Sequence, residues 1–158
     1  MPTHAEKRVL PHSPEQLYAL VADVERYPEF LPWCLAVRVR QRDMAPPEAG
    51  GGGTLVSDMA IGFKVFREQF TTRVVCTPAS DQAPGRIDVS YEDGPFKHLN
   101  NHWVFEATDD GHCEIDFYVD FEFRSAILQK AIGVVFNEAV QKMVNAFETR
   151  ARALYDAN

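Results

Sequence analysis

The chain has 158 residues, 46% of them hydrophobic and 25% charged, which is the make-up of one ordinary globular domain with a core of its own. Its formal charge of −7 argues against nucleic-acid phosphate as the main partner, because phosphate binding draws on a local excess of Lys and Arg. Three widely spaced cysteines (Cys34, Cys76, Cys113) fit a reducing cytoplasm and offer neither a disulfide framework nor a zinc pattern, and no apolar run reaches the ~20 residues of a membrane span.

Residues 3–10 alternate loosely and predict a first strand, ended by Pro11. SPEQ (13–16) predicts a helix start, with Ser13 as N-cap, Pro14 at the first helical position and Gln16 closing a capping box. Leu17, Leu20, Val21 and Val24 follow at helical spacing, so one face of that helix is buried. The next stretch, ERYPEFLPWC (25–34), crowds Tyr27, Phe30, Leu31 and Trp33 around Pro28 and Pro32. It predicts a second, very short helix with Pro28 in its first turn and Pro32 at its end. Such apolar area on so short a segment suits a gate over an apolar cavity, the alternative being a plug of the core.

From Leu35 the period becomes two, with Val37 and Val39 alternating with Arg38 and Arg40. PPEAGGGG (46–53) reads as a hairpin connection, since no Gly-Lys-Ser/Thr follows to make a phosphate loop. Residues 54–61 and 64–77 predict two strands turning near Gly62, and 86–92 and 98–107 two more, joined at Gly94-Pro95. EIDFYVDFEF (114–123) puts Ile115, Phe117, Val119, Phe121 and Phe123 on a core face and its acids on a solvent face. A helix from Ser125 to Tyr155, ~45 Å long, closes the chain. Its apolar stripe runs through Leu128, Ile132, Val135, Phe136, Ala139, Val140, Met143, Phe147, Ala151 and Leu154. The expected architecture is α+β: a curved antiparallel sheet wrapped around one long C-terminal helix, leaving a wedge of internal space whose open end the two short N-terminal helices close.

No catalytic or metal constellation emerges. His98 and His102 share a strand face but stand about 13 Å apart at ~3.3 Å per residue, too far to bind one zinc ion. The carboxylates of 114–122 lie opposite the apolar stripe, where nothing tunes them for acid–base work. The better candidates are apolar: Tyr27, Phe30, Leu31 and Trp33 with Phe96, Leu99 and Trp103, and with Phe136 and Val140 of the helix stripe. Lys97, His98 and Asn101 are candidate polar groups for a ligand head.

DVERYPEFLPWC (23–34), GPFKHLNNHWVF (94–105), VDFEFRSAILQ (119–129) and MVNAFETRA (143–151) resemble the coenzyme Q-binding protein family of the START-like, polyketide cyclase/dehydrase superfamily, and in order over nearly the whole chain. The resemblance implies a helix-grip fold over residues 1–158 and a hydrophobic cavity. It implies non-enzymatic binding of ubiquinone or a related prenylated lipid, in support of quinone biosynthesis and respiratory electron transport. Ubiquinone is then a bound ligand, with no cofactor, and the chain is a cytoplasmic protein touching the inner-membrane surface transiently. Bacterial relatives are also labelled ribosome-association toxins, so a ribosome-binding regulator is one rival reading, with Arg38, Arg40, Arg67 and Arg73 as its basic patch. A cyclase or aromatase acting on a polyketide is the other, and it needs an inward-facing acid or base that the alternation does not offer.

Overall fold

The alternating strands and the amphipathic C-terminal helix assemble as their patterns require. The computed structural model describes residues 3–31, 34–45, 52–63, 66–80 and 83–155. Strands β1 (Thr3–Leu10), β2 (Cys34–Met44), β3 (Gly53–Phe63), β4 (Phe66–Thr77), β5 (Gly85–Asp93), β6 (Phe96–Ala107) and β7 (Cys113–Phe123) form one antiparallel sheet in the order β1-β7-β6-β5-β4-β3-β2. Helix α1 (Pro14–Ala22) and a 3-10 segment (Val24–Glu29) lie between β1 and β2, and α2 (Ala126–Tyr155) follows β7. This is the helix-grip arrangement, with α2 held in the concave face of the sheet.

Register shifts between Cys34 and Ala36, Val39 and Gln41, Thr71 and Thr72, and Phe96 and His98 supply the curvature. Each bulge bends its strand and adds twist, which lets seven strands wrap a helix instead of lying flat. The edge strand β2 carries Arg38, Arg40 and Arg42 on its exposed positions, a charged edge that discourages pairing with other sheets.

The N-terminal signals are realised. Ser13 Oγ accepts from Gln16 N while Gln16 Oε1 accepts from Ser13 N, both at 3.1 Å, and Leu17, Leu20, Val21 and Val24 are buried. The short helix differs from its expectation. It begins at Val24, so Pro28 falls in its last turn, which the fixed proline φ tolerates because the segment is ending there; Pro32 lies outside the described residues. The β3–β4 turn is also displaced. Gly62 pairs with Arg67 and Phe63 with Phe66, so the strands stay paired past Gly62 and the turn is not at that glycine.

On α2, Phe136, Val140, Phe147 and Ala151 are buried, at 7% exposure or less. Leu154 departs from the predicted stripe and is exposed, because the last turn is fastened by Tyr155, whose hydroxyl donates to Gln16 O at 3.0 Å. The Val135 side chain lies outside the described residues. The outer face of β7 carries its acids as expected: Asp120 accepts from Thr3 Oγ1 at 2.9 Å, and Glu122 lies 3.3 Å from Lys97 Nζ. The loose alternation of β1 has a reason too. Glu6 and Arg8 pair at 2.7 Å on its inner side, and Arg8 reaches Glu148 of α2 at 2.8 Å, so the sheet edge meets the helix through charge.

Candidate functional site

Between α2 and the concave face of the sheet lies an internal cavity of about 220 Å³. Two clusters flank it. The larger holds α1, the inner residues of β5 and β6 and the second half of α2. The smaller holds Phe70, Phe96 and Phe123 with Ile61, Leu99, Leu128 and Ile132 packed against them. Phe96 is the centre of the second: it stacks on Phe123 at 4.7 Å between ring centres and takes Phe70, Tyr91 and Phe121 edge-on at 5.2 to 5.6 Å. Offset and edge-to-face pairs of this kind add stabilisation beyond their buried area and keep the wall stiff.

Of the residues singled out in the sequence, Tyr27, Leu31, Phe96, Leu99, Trp103, Phe136 and Val140 line this cavity. Phe30 does not; it packs outside the lining, against Tyr27 and Phe147. Trp33 lies outside the described residues. Lys97 points to the outer face and pairs with Glu122, and His98 does the same with Asp120, 3.3 Å away. The bulge at this point of β6 explains both: it turns Phe96 and Leu99 inward together and leaves Lys97 and His98 outside. His102 stacks on Tyr118, 5.2 Å between ring centres, on that same outer face.

Asn101 lines the cavity, but its amide is already engaged. Nδ2 donates to Tyr118 O at 2.8 Å, and Oδ1 accepts from Trp103 Nε1 at 3.2 Å. Its role is to satisfy the indole and fix the Trp103 ring, which then packs on Phe117 and Phe147 at 4.6 and 5.0 Å. Tyr27 is similarly committed: its hydroxyl donates to Val21 O, and burial holds its pKa far above the usual phenol range.

The polar groups left facing the cavity are ones the sequence did not flag. Ser57 and Thr72, 1% and 3% exposed, face each other across β3 and β4 with their hydroxyl oxygens 3.4 Å apart. Such a separation is a weak hydrogen bond, so the pair retains capacity for a ligand. Glu68, opposite Ile61, is the one charged residue among the described lining residues, and it corrects the expectation of no inward acid. It sits half-buried near the hairpin end, where water can reach it. The signal was present: Ser57, Met59 and Ile61 alternate on β3, and Glu68, Phe70 and Thr72 on β4. A turn placed at Gly62 mispairs them, and pairing that continues to Phe63 and Phe66 brings them together.

Outside the cavity, three of the four arginines proposed as a basic patch stand beside acids, Arg38 and Arg40 sharing Asp58, while Arg67 is exposed on β4; Arg42, next to the patch on β2, is paired as well. Arg40 pairs with Asp58 at 2.9 Å with Arg38 at 4.0 Å, Arg73 pairs with Glu92 at 3.0 Å, and Arg42 with Glu25 at 2.6 Å. Among the described residues no helix is long and apolar enough to cross a membrane, and no three His, Cys, Asp or Glu side chains gather as a metal site.

The family described as "Polyketide cyclase / dehydrase and lipid transport" matches residues 10–148. The ribosome association toxin RatA of Escherichia coli (strain K12) is 36% identical over 157 residues, covering 99% of this chain and 91% of that protein. The mitochondrial coenzyme Q-binding protein COQ10 homolog B of Xenopus laevis is 31% identical over 155 residues, covering 96% of this chain and 59% of that protein. Among solved structures, the Zhui aromatase/cyclase of Streptomyces sp. R1128 superposes with a TM-score of 0.79 over 99% of this chain and 98% of that one, at 16% identity. A likeness at that identity speaks for the START-like fold alone.

Proposed function

We propose that this chain, which belongs to the polyketide cyclase / dehydrase and lipid transport family, is a non-enzymatic binder of ubiquinone or a related prenylated lipid. It carries or chaperones that lipid for quinone biosynthesis and respiratory electron transport, working from the cytoplasm at the surface of the inner membrane. The observation that carries the reading is the apolar, aromatic-walled cavity with a buried hydroxyl pair, Ser57 and Thr72, among its few polar groups. Concave, mostly apolar sites with a few placed polar groups are where small hydrophobic molecules bind.

Size sharpens the proposal. At about 220 Å³ the space falls below the ~300–1,000 Å³ usual for drug-sized ligands, enough for a substituted ring and the first part of a tail. The remainder of a polyprenyl chain keeps contact with lipid, because each exposed CH₂ costs about 0.8 kcal/mol. The ring is held by Phe96, Leu99, Trp103 and Phe136, and one of its oxygens accepts from the Ser57–Thr72 pair. The similarity to a protein named for coenzyme Q binding supports this assignment.

Two rival readings are weaker. Relatives named for ribosome association share the whole length of the chain, but the arginines that a phosphate backbone would need are largely tied to carboxylates on this surface. An aromatase or cyclase needs an acid or base at the reacting carbons, whereas Glu68 stands near the hairpin end of the lining.

The test is organic extraction of the purified protein followed by mass spectrometry, repeated after incubation with quinone-loaded vesicles. A prenylated quinone at near-stoichiometric amounts is the expected result. Its absence from both preparations overturns the proposal, and co-sedimentation with ribosomal subunits that survives physiological salt promotes the ribosomal reading in its place.

A further inference from the structure

The first half of α2 is apolar on two opposite faces. Ile132 and Phe136 line the cavity, and Leu128 packs on the Phe70–Phe96–Phe123 cluster. On the other side Ile127 and Val134 are 82% and 83% exposed, the most exposed large hydrophobic residues among those described. Ala131, between them at helical spacing, is exposed as well. A surface helix of a globular protein normally turns a polar face outward. At Gly133 an added Cβ would meet none of the described residues within 4 Å, so the helix is open there.

Charge sets the same stretch apart. From Arg124 to Asn137 the sequence has two cations, Arg124 and Lys130, and no carboxylate, in a chain whose net charge is −7. Lys130 stands inside the exposed strip, since positions 127, 130, 131 and 134 share one helix face. The strip also stands at a particular end of the molecule. Phe96 at the start of β6 pairs with Phe123 at the end of β7, Gly94 abuts Phe70, and Ile61, Leu128 and Ile132 all pack on the Phe70–Phe96–Phe123 cluster. The β5–β6 turn, the β3–β4 hairpin end and the start of α2 therefore converge where Glu68 marks the wet margin of the cavity lining.

We propose that the exposed face formed by Ile127, Lys130, Ala131 and Val134 docks the protein on an anionic lipid bilayer and sets the cavity margin against the lipid. Ile127 and Val134 enter the boundary between headgroups and acyl chains, and Lys130 lays its stem along them and reaches lipid phosphate. This inference rests on the carrier reading, because a cavity that admits only the ring end of a prenylated molecule must receive it from, and return it to, a surface that holds the tail.

A bilayer suits the strip better than a second copy of the chain. A stable protein contact buries roughly 800 Å² on each partner, and two aliphatic side chains with one alanine fall far short of that. A two-fold pairing through this face also sets Lys130 near its own copy, like charge on like. Nucleic acid would use Lys130 but has no use for exposed Ile127 and Val134.

The experiment is flotation of the full-length protein with vesicles of phosphatidylcholine alone and mixed with phosphatidylglycerol. Expected is binding to the phosphatidylglycerol vesicles, weakened about tenfold or more by the double variant Ile127→Ser/Val134→Ser through lost apolar transfer. Lys130→Glu should weaken it as well and remove its dependence on phosphatidylglycerol. Circular dichroism and melting temperature should stay unchanged in these surface variants. In parallel, binding of a water-soluble short-tail quinone, read by tryptophan fluorescence quenching, should be equal in parent and variants.

Absence of vesicle binding by the parent, or binding indifferent to the three substitutions, overturns the docking surface. A dimer by light scattering that the double variant abolishes, or ribosomal-subunit binding lost in Lys130→Glu alone, assigns the strip to those partners and overturns it too. If the short-tail quinone fails to bind while vesicle docking still depends on the strip, the carrier reading falls and the docking surface stands.

Discussion

Phe30 meets Phe147 edge-on, with ring centres 5.2 Å apart, and the Arg150 guanidinium lies 5.2 Å from the centre of the same Phe30 ring. Arg150 also pairs with Glu29 at 2.8 Å, so the end of the 3-10 segment is fastened to α2 by an aromatic contact and an ion pair at adjacent positions. A freely swinging gate would have neither. Phe30→Ala is expected to lower stability by about 1–3 kcal/mol, short of the ~3–5 kcal/mol of a fully buried aromatic because Phe30 is half-buried. Quinone uptake per folded molecule should stay unchanged, since Phe30 is off the lining. Denaturant melts and vesicle-transfer assays check both; lost uptake with unchanged stability restores the gate.

Gly94 sits at φ +143° in the β5–β6 turn, and a Cβ there would lie 2.6 Å from Phe70 Cβ. Both facts forbid a side chain: the backbone region is one that L-residues rarely adopt, and the obstacle is the wall of the cavity itself. Gly94→Ala should cost about 1–3 kcal/mol and weaken quinone binding by shifting Phe70. Gly111, at φ +84° with open space around it, should tolerate alanine better and serves as the comparison. Equal melting temperatures for the two variants would show that the Phe70 contact does not matter.

The local signals of this chain are strong, and its pairings are not. The capping box at Ser13, the alternation of β7 and the stripe of α2 could be read directly, because each depends on neighbours within a turn or two of helix or along one strand. The walls of the cavity depended on two features with faint local signatures. One is the bulge at Lys97, which separates the inward Phe96 and Leu99 from the outward Lys97 and His98. The other is the true reversal of the β3–β4 hairpin, which sets Ser57 against Thr72 and Met59 against Phe70. A small error in turn position changes every cross-strand partner, and so the hydroxyl pair of the site stayed hidden while much of its aromatic wall was visible.

The acids of β7 face outward, so Asp116→Asn should change stability by no more than about 0.5 kcal/mol, Asp120→Asn should cost more because it removes the charge beside His98, and both should leave quinone binding intact. Glu68→Gln is the informative companion, because Glu68 lines the cavity. Under the carrier reading it too leaves binding unchanged. A defined chemical conversion of a polyketide substrate that disappears in Glu68→Gln alone would establish the enzyme reading instead.

Burial raises the thiols of Cys34 and Cys76 from 9.0 to about 11 and that of Cys113 to about 12, and raises Tyr18 from 10.0 to about 12. In the unfolded chain these groups lose their protons first as pH rises, so above pH ~9 the unfolded state holds fewer protons than the native one and stability falls. The contribution is intact below pH 9 and is lost progressively between about 9 and 12. Urea melts from pH 7 to 10.5 should show a flat midpoint that declines beyond pH 9, and Tyr18→Phe should shallow the decline above pH 10. A midpoint that rises with alkaline pH contradicts the burial of these groups.

The hydroxyl pair gives the sharpest test of what the cavity recognises. Ser57 and Thr72 are buried with oxygens 3.4 Å apart, so each partly satisfies the other. Replacing both by apolar groups of similar shape, Ser57→Ala with Thr72→Val, removes donor and acceptor together and leaves nothing orphaned, which is close to neutral for stability. A ligand oxygen, by contrast, loses its donor on entering the cavity. One such hydrogen bond is worth about 0.5–1.5 kcal/mol, so quinone affinity should fall roughly two- to tenfold. A prenyl hydrocarbon of matched length, having no oxygen to satisfy, should bind the double variant at least as well as the parent. Titrations of both ligands against both proteins separate the outcomes. Equal losses for quinone and hydrocarbon would mean that the variant merely disturbed packing, and unchanged quinone affinity would remove Ser57 and Thr72 from the binding site.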